Sequence, residues 1–458
     1  MFQWMSSRRN SLVKVGHGVR LEDIYSSHPK IHTLRMSHSE RLRHWMSFGT
    51  TGCGKTRLIE HLIEQDIRSG KNLCLIDPKG DQELLAKIIK TARQTNRMDE
   101  LIFISPVYPD ISTKLNPFAH YYRPEEIVQH VIASIPAGKE PFFAEVAKEV
   151  TLTAVFSFYY LSQFETTRRH LTISDLRKKV SRSELEDTTK QLSYHRDDPK
   201  IAEIHSTISQ IIQSPLDYFS KITSTLRTTL TQLSVGSIGE IVGNSTENEF
   251  IDRLEHGKRV ILVIQTGALM FRDPAFILAR MITSMVQSLV GRFYASQRVF
   301  DPPLMLYIDE ASNVFYNGIE DLFNKSRGAG VAIHALTQSV SDISSRLGED
   351  RARVILDNCN TKLFFKVNDP ATSAYVSALM GQRSIYSPTF TSDGDIRYTA
   401  SDQAVLDEAS AIKLKPRQFF FFTQHNAYRG RTVGVQATDL RVQWPGTTTR
   451  CNHEDQYK

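Results

Sequence analysis

Eight consecutive residues, Gly49-Thr50-Thr51-Gly52-Cys53-Gly54-Lys55-Thr56, satisfy the pattern G-x-x-x-x-G-K-[ST] at every defined position. The pattern commits the chain to a strand, a tight anion-sized loop and a helix, in that order. Glycines let backbone N–H groups curl around phosphate oxygens, Lys55 sets a cation on the β- and γ-phosphates, and Thr56 offers a hydroxyl to Mg2+. The helix is legible, because Leu58, Ile59, Leu62, Ile63 and Ile67 recur with helical spacing and stop at Gly70. The preceding strand is faint: His44-Trp45-Met46-Ser47-Phe48 is short and only partly apolar.

Further along, short apolar runs end in small or acidic residues: Asn72–Ile76, Leu101–Ile104, Val260–Ile264, Leu304–Ile308, Val331–Leu336, Lys362–Val367 and Gln418–Phe422. Runs that are apolar on both faces and alternate with helical stretches are what a buried, largely parallel sheet requires. The class is α/β. From 117 to 250 the strand signal stops and helix-length apolar patterns replace it, which reads as an all-α insertion. Its centre, from Arg168 to Lys200, is dense in both charges and is expected to hold an exposed loop. The resulting division is a basic arm at 1–43, a nucleotide-binding domain at 44–116 and 251–442, the insertion at 117–250 between them, and a polar tail at 443–458.

The run Leu304-Met305-Leu306-Tyr307-Ile308 delivers two adjacent acids, Asp309 and Glu310. Asp309 suits Mg2+, and Glu310 suits the polarisation of an attacking water; alone, the pair reads equally as a strand followed by a helix cap. Gln338, at the tip of the next strand, is placed to sense a γ-phosphate. Arg327, just before that strand, lies near a rim from which it can reach a neighbouring subunit's nucleotide, although surface arginines are common. Asp77 and Lys79, in Asp77-Pro78-Lys79-Gly80, fit a nucleotide contact and a tight Pro-turn about equally.

At 458 residues the chain has room for two or three folding units. Cys53, Cys74, Cys359 and Cys451 form no C-x-x-C pair, which argues against a zinc site or a disulfide framework and fits a reducing, cytoplasmic compartment. The longest mostly apolar stretch read from the sequence, Val150 to Leu161, falls short of the ~20 residues that span a bilayer. No apolar run accompanies Arg8 and Arg9, so no secretory signal is expected. The net charge of +6 is concentrated at one end: residues 1–47 carry eight Lys/Arg against three acids. Such an arm fits an anionic lipid surface, a nucleic acid or a merely solvated leader.

In order along the chain, GTTGCGKT at 49–56, LIDPKGD at 75–81, LNPF at 115–118, VIQTGAL at 263–269, LYIDEA at 306–311, SRGAG at 326–330 and LTQS at 336–339 resemble the type IV secretion coupling proteins. These are the TraD/TraG-like conjugation ATPases related to the RecA and FtsK motors. The resemblance covers roughly residues 45 to 440, and the insertion lies where that family carries its all-α domain. It implies a RecA-like P-loop NTPase fold, ATP with Mg2+, a hexameric ring, and pumping of single-stranded DNA with its relaxase into a secretion channel. By matching position it makes Lys55 and Thr56 the nucleotide and Mg2+ ligands, Asp309 and Glu310 the Walker B pair, Arg327 a finger acting in trans and Gln338 the sensor. Family members usually begin with transmembrane helices. Here the basic arm takes their place, so inner-membrane contact is expected to be peripheral, through the arm or a partner. Two rival readings are a secretion-system assembly ATPase acting on protein subunits and a non-translocating receptor for the relaxosome.

Overall fold

Runs such as Leu73-Cys74-Leu75-Ile76 have no polar side, so a strand made from them must be covered on both faces. The computed structural model, which describes residues 12–24, 26–136, 141–166, 170–390 and 396–442, covers them in this way. Its strands are β1 Val13–Arg20, β2 His32–Met36, β3 Trp45–Phe48, β4 Asn72–Asp77, β5 Leu101–Ile104, β6 Ile261–Gln265, β7 Leu304–Ile308, β8 Val331–Thr337, β9 Thr361–Phe364, β10 Gln382–Phe390, β11 Ile396–Ala404, β12 Gln418–Phe422 and β13 Ala427–Thr432.

Eleven of these form one sheet in the order β2-β1-β13-β12-β9-β3-β8-β7-β4-β6-β5, and β10 and β11 form a separate hairpin. From β9 to β5 every neighbouring pair is parallel, while the pairs from β9 to β2 are antiparallel. The period-2 alternation of a strand divides each one between two cores. Cys74, Ile76, Leu262, Ile264, Leu306 and Ile308 join the insertion and the helix Asp273–Ala295 on one face. Leu73, Leu75, Ile261, Val263, Met305 and Tyr307 meet the helices Lys55–Arg68 and Gln82–Gln94 on the other. The α/β class and the inserted helical segment are as expected.

Two details depart from the sequence reading, at 13–36 and at Asp273–Ala295. Val13–Arg20 and His32–Met36, read as part of a basic arm, are β1 and β2, because Val13, Val15, Leu34 and Met36 alternate and are buried. Arg8 and Arg9, and the tail 443–458, lie outside the described residues. The charged centre of the insertion is helical at Ile173–Lys179 and Arg182–Ser193, and the expected exposed loop follows between Ser193 and Pro199. There Thr172 and Ser181 cap the helices, and Leu185, Thr188 and Leu192 supply a narrow buried stripe that the charges hide. Lastly, Asp273–Ala295 is a longer apolar helix than the sequence reading found. It has the length and composition to cross a membrane, yet most of it is buried within the fold.

The insertion returns to the sheet through a narrow neck. Asn116, in the LNPF run, is fully buried; its N–H donates to Glu247 O (2.7 Å) and its side-chain amide to Leu171 O (3.0 Å). Asn248 donates in turn to Asn116 O at 3.1 Å. Arg292 ties the helix Asp273–Ala295 to Glu126 at 2.7 Å, near the start of the insertion, and to Glu255 at 2.9 Å, just past its end.

Under the P-loop helix lies a dry polar knot. Arg41 Nη1 and Nη2 donate to the two Asp66 oxygens at 2.6 and 2.7 Å, Nη2 also donates to Tyr307 Oη at 2.7 Å, and Nε donates to His334 Nε2 at 3.1 Å. It fastens the P-loop helix to β7 and β8. Burial pushes the Asp66 carboxyl up, but Arg41 and Lys71 beside it pull it well below the usual carboxylate range. A depressed folded value means that this stabilisation is complete above the unfolded value of about 4 and is lost as pH falls below it. Arg41→Ala, which strands a buried carboxylate, should cost about 3–5 kcal/mol in urea unfolding at pH 7. The stability gap between the native chain and Asp66→Asn should narrow in acid.

Candidate functional site: a cleft at the carboxyl ends of four strands

The faint strand is central. β3 lies between β8 and β9, and its Ser47 hydroxyl is satisfied by accepting from Trp45 Nε1 at 2.7 Å. From its end, the Gly49 N–H donates to Gln338 O (3.1 Å) and the Thr50 N–H to Lys366 O (2.9 Å), while Cys53 O accepts from Arg417 N at 2.9 Å. The loop is therefore held from β8, from the segment after β9, and from the start of β12. A Cβ at Gly49 would meet Cys53 Sγ at 2.7 Å and Phe365 Cβ at 2.8 Å, so only glycine fits. Gly54 opens the helix at φ 112°, in the region that favours glycine.

Lys55 is buried, and its ammonium donates to the carbonyls of Gly49 and Thr50. Burial lowers its proton affinity, opposed by Cys53 and Asp309. Thr56 follows in the first turn of the helix Lys55–Arg68. Because β8 separates β3 from β7, the ends of these parallel strands share one cleft of about 320 Å3, lined by Lys55, Lys79, Asp309, Glu310, Ser312, Asn313, Thr337, Gln338, Asp342, Ser345 and Arg346. The structure thus brings Lys55, Asp309, Glu310 and Gln338 together. Arg327 is elsewhere, at the opposite end of β8, in a second cleft with Lys71, Phe300 and Pro303.

Burial raises the Asp309 carboxyl, with Lys79 opposing. Its Oδ1 accepts from Glu310 N at 2.9 Å. Glu310 holds φ 46°, an uncommon value for a residue with a side chain, and its Oε1 lies 3.0 Å from Lys79 Nζ. Asp77 settles the open question about its turn. Its Oδ1 accepts from Lys79 N and Gly80 N, each at 3.1 Å, and its Oδ2 from Asp81 N (2.7 Å) and Gln265 Nε2 (3.1 Å). Asp77 therefore shapes the turn, and Lys79 enters the cleft. Burial raises Asp77 to about 6.

These groups fit a nucleoside triphosphate with Mg2+: glycine backbone at a helix N-terminus, two lysines, a buried hard-oxygen donor in Asp309, and the Thr56 hydroxyl in the first turn of the helix. Sequence reasoning missed Asp342 and Arg346. The available signal was the capping box Ser339-x-x-Asp342, which starts the helix Val340–Leu347 and puts Arg346 one turn further along the same face.

Residues 303–414 match the family described as the TraM recognition site of TraD and TraG. The type 4 coupling protein DotL of Legionella pneumophila is 30% identical over 95 residues, 19% of this chain. The match spans only 12% of DotL's own length. Among solved structures, the bacterial conjugative coupling protein TrwBdeltaN70 superposes with a TM-score of 0.68 at 16% identity, over 95% of this chain and 92% of that one. The plasmid coupling protein TrwB in complex with ADP and Mg2+ gives 0.67 at 15%, over 94% and 97%. VirB4 of Thermoanaerobacter pseudethanolicus gives 0.55 at 12%, over 92% and 97%. The resemblance to type IV coupling proteins is borne out, in sequence over 303–414 and in fold over nearly the whole chain.

Gly49→Ala should lower affinity for a fluorescent ATP analogue at least tenfold by titration. The far-UV dichroism of the sheet and helices should stay near that of the native chain.

Proposed function

We propose that this chain is an ATP-hydrolysing coupling protein that delivers and translocates single-stranded DNA, with its relaxase, to a type IV secretion channel. The observation that carries the reading is the convergence of Lys55, Asp309, Glu310 and Gln338 on one cleft at the carboxyl ends of β3, β7 and β8. The likeness in fold to coupling proteins, one of them in complex with ADP and Mg2+, supports it.

Lys55 and the loop N–H groups bind the triphosphate, and Thr56 and Asp309 hold Mg2+, which neutralises phosphate charge when bound. Glu310 accepts the proton of a water whose oxygen attacks the γ-phosphorus. The bond to the β–γ bridging oxygen breaks, and its electrons stay with ADP. Gln338, whose carbonyl already fixes Gly49, reads the terminal phosphate at the same strand tip.

Arg327 cannot serve its own cleft, since the seven residues of β8, at about 3.3 Å each, put it about 20 Å away. It suits the nucleotide of a neighbouring copy, which a ring, most simply a hexamer, supplies. Nucleotide-driven changes at that contact would turn the subunits against each other and draw the strand by its phosphates. The chain would work in the cytoplasm, with peripheral contact at the inner membrane. The match to a TraM recognition site supports relaxosome proteins as partners.

The likeness to VirB4 favours one second reading, an assembly ATPase acting on protein subunits. Turnover measured with and without single-stranded DNA, with Lys55→Ala as the blank, separates them. The coupling reading expects Lys55-dependent hydrolysis that DNA raises several-fold; indifference to DNA favours the second. Glu310→Gln should slow turnover by about 10²–10⁴-fold while nucleotide binding persists. Wild-type DNA transfer by Glu310→Gln would instead indicate a receptor that does not use hydrolysis, and absence of Lys55-dependent turnover overturns the motor.

A further inference from the structure

We infer that Lys79 senses the terminal phosphate, exchanging Glu310 for it when a triphosphate is seated; this rests on reading the cleft as a nucleoside-triphosphate site. Lys79 Nζ lies 3.0 Å from Glu310 Oε1, and both side chains line the cleft that contains Lys55. The backbone that carries Lys79 is fixed. Asp77 takes the N–H groups of residues 79, 80 and 81, and Asp81 caps the helix Gln82–Gln94 by accepting from Glu83 N (2.9 Å) and Leu84 N (3.0 Å). On the far side, Pro78 O accepts from Ala268 N at 2.7 Å. Only the flexible four-carbon side chain is left to move, and it is partly exposed.

Two anions compete for that ammonium. A carboxylate carries one charge and a γ-phosphate up to two, so the phosphate is the stronger partner at similar range. While Lys79 pairs with Glu310, its ammonium occupies the carboxylate oxygen that a water would otherwise use. Seating of the triphosphate beside Lys55 draws Lys79 away, and Glu310 becomes free to take a proton at the moment a substrate is present. After cleavage the diphosphate offers no terminal group there, and Lys79 returns to Glu310. No additional bond-making step is involved. The exchange makes base activation conditional on the γ-phosphate, and it assigns the lysine of the Asp77-Pro78-Lys79-Gly80 turn a role separate from that of Lys55.

The test measures dissociation constants of ADP and of a non-hydrolysable imido analogue of ATP, each with Mg2+, on the full chain. Lys79→Ala should weaken the analogue at least tenfold and leave ADP within twofold, so ADP binding also reports an intact fold. Lys79→Arg should restore most of the discrimination. Glu310→Gln should tighten the analogue several-fold by releasing Lys79, and the same change made in Lys79→Ala should have no such effect. Equal weakening of both nucleotides by Lys79→Ala, no weakening of either, or an undiminished Glu310→Gln effect in the double variant overturns the inference while the ATP reading stands. If the unaltered chain binds neither nucleotide, the ATP reading itself falls, and this inference with it.

Discussion

The order β3-β8-β7-β4 decides what this chain can do. Parallel strands end on the same side, so the residues just beyond them meet: the loop after β3, Gln338 after β8, Asp309 and Glu310 after β7, and the Asp77 turn after β4. Ligands in open α/β sheets gather at the carboxyl ends of strands for this reason. Residues 282 positions apart in sequence, such as His44 and Ser326, also meet at the other edge of the same strands, with the His44 and Ser326 side chains 3.3 Å apart. That second contact lies beside Arg327. The two ends of β8 thus border different clefts.

Keeping that order requires more than apolar packing, since neighbouring runs of Val, Leu and Ile are interchangeable in chemistry. The Arg41 knot distinguishes them. Arg41 reaches the P-loop helix through Asp66, β7 through Tyr307 and β8 through His334, and each partner has a defined donor or acceptor role. Replacing such a knot with well-packed hydrophobic residues is often neutral or stabilising in stability, so its value here is better assigned to register. A misplaced strand would leave a guanidinium dry and unpaired.

Much of this was legible in the sequence because two independent patterns agreed. The P-loop spacing demanded a strand and a helix, and the apolar runs supplied a parallel sheet to seat them. β3 was faint because two of its four residues, Trp45 and Ser47, satisfy each other, a pairing that hydropathy cannot register. β1 and β2 were hidden by charge: Lys14, Arg20 and Arg35 alternate with the buried Val13, Val15 and Leu34, and counting basic residues obscured the period of two. Arg41, counted in the net charge of the basic arm, is fully buried. The site residues nearest in sequence to a motif were found. Those delivered by the start of another helix, Asp342 and Arg346, required the fold.

Electrostatics separates two acids that the sequence presents alike. Asp77 and Asp309 both end strands, both are buried, and burial raises both carboxyls. Asp77 is fully used by the protein, with three backbone N–H groups and the Gln265 amide donating to it. Asp309 accepts a single hydrogen bond among the described residues, from the N–H of Glu310. A buried carboxylate with one donor is costly in water's absence, and the nearby ammonium of Lys55 is already engaged by two carbonyls of its own loop. Lys79 is the group that opposes that cost most. Asp77 therefore builds the turn that holds Lys79, while Asp309 keeps lone pairs that no hydrogen-bond donor among the described residues takes, and the difference follows from the donors each finds at the end of its strand.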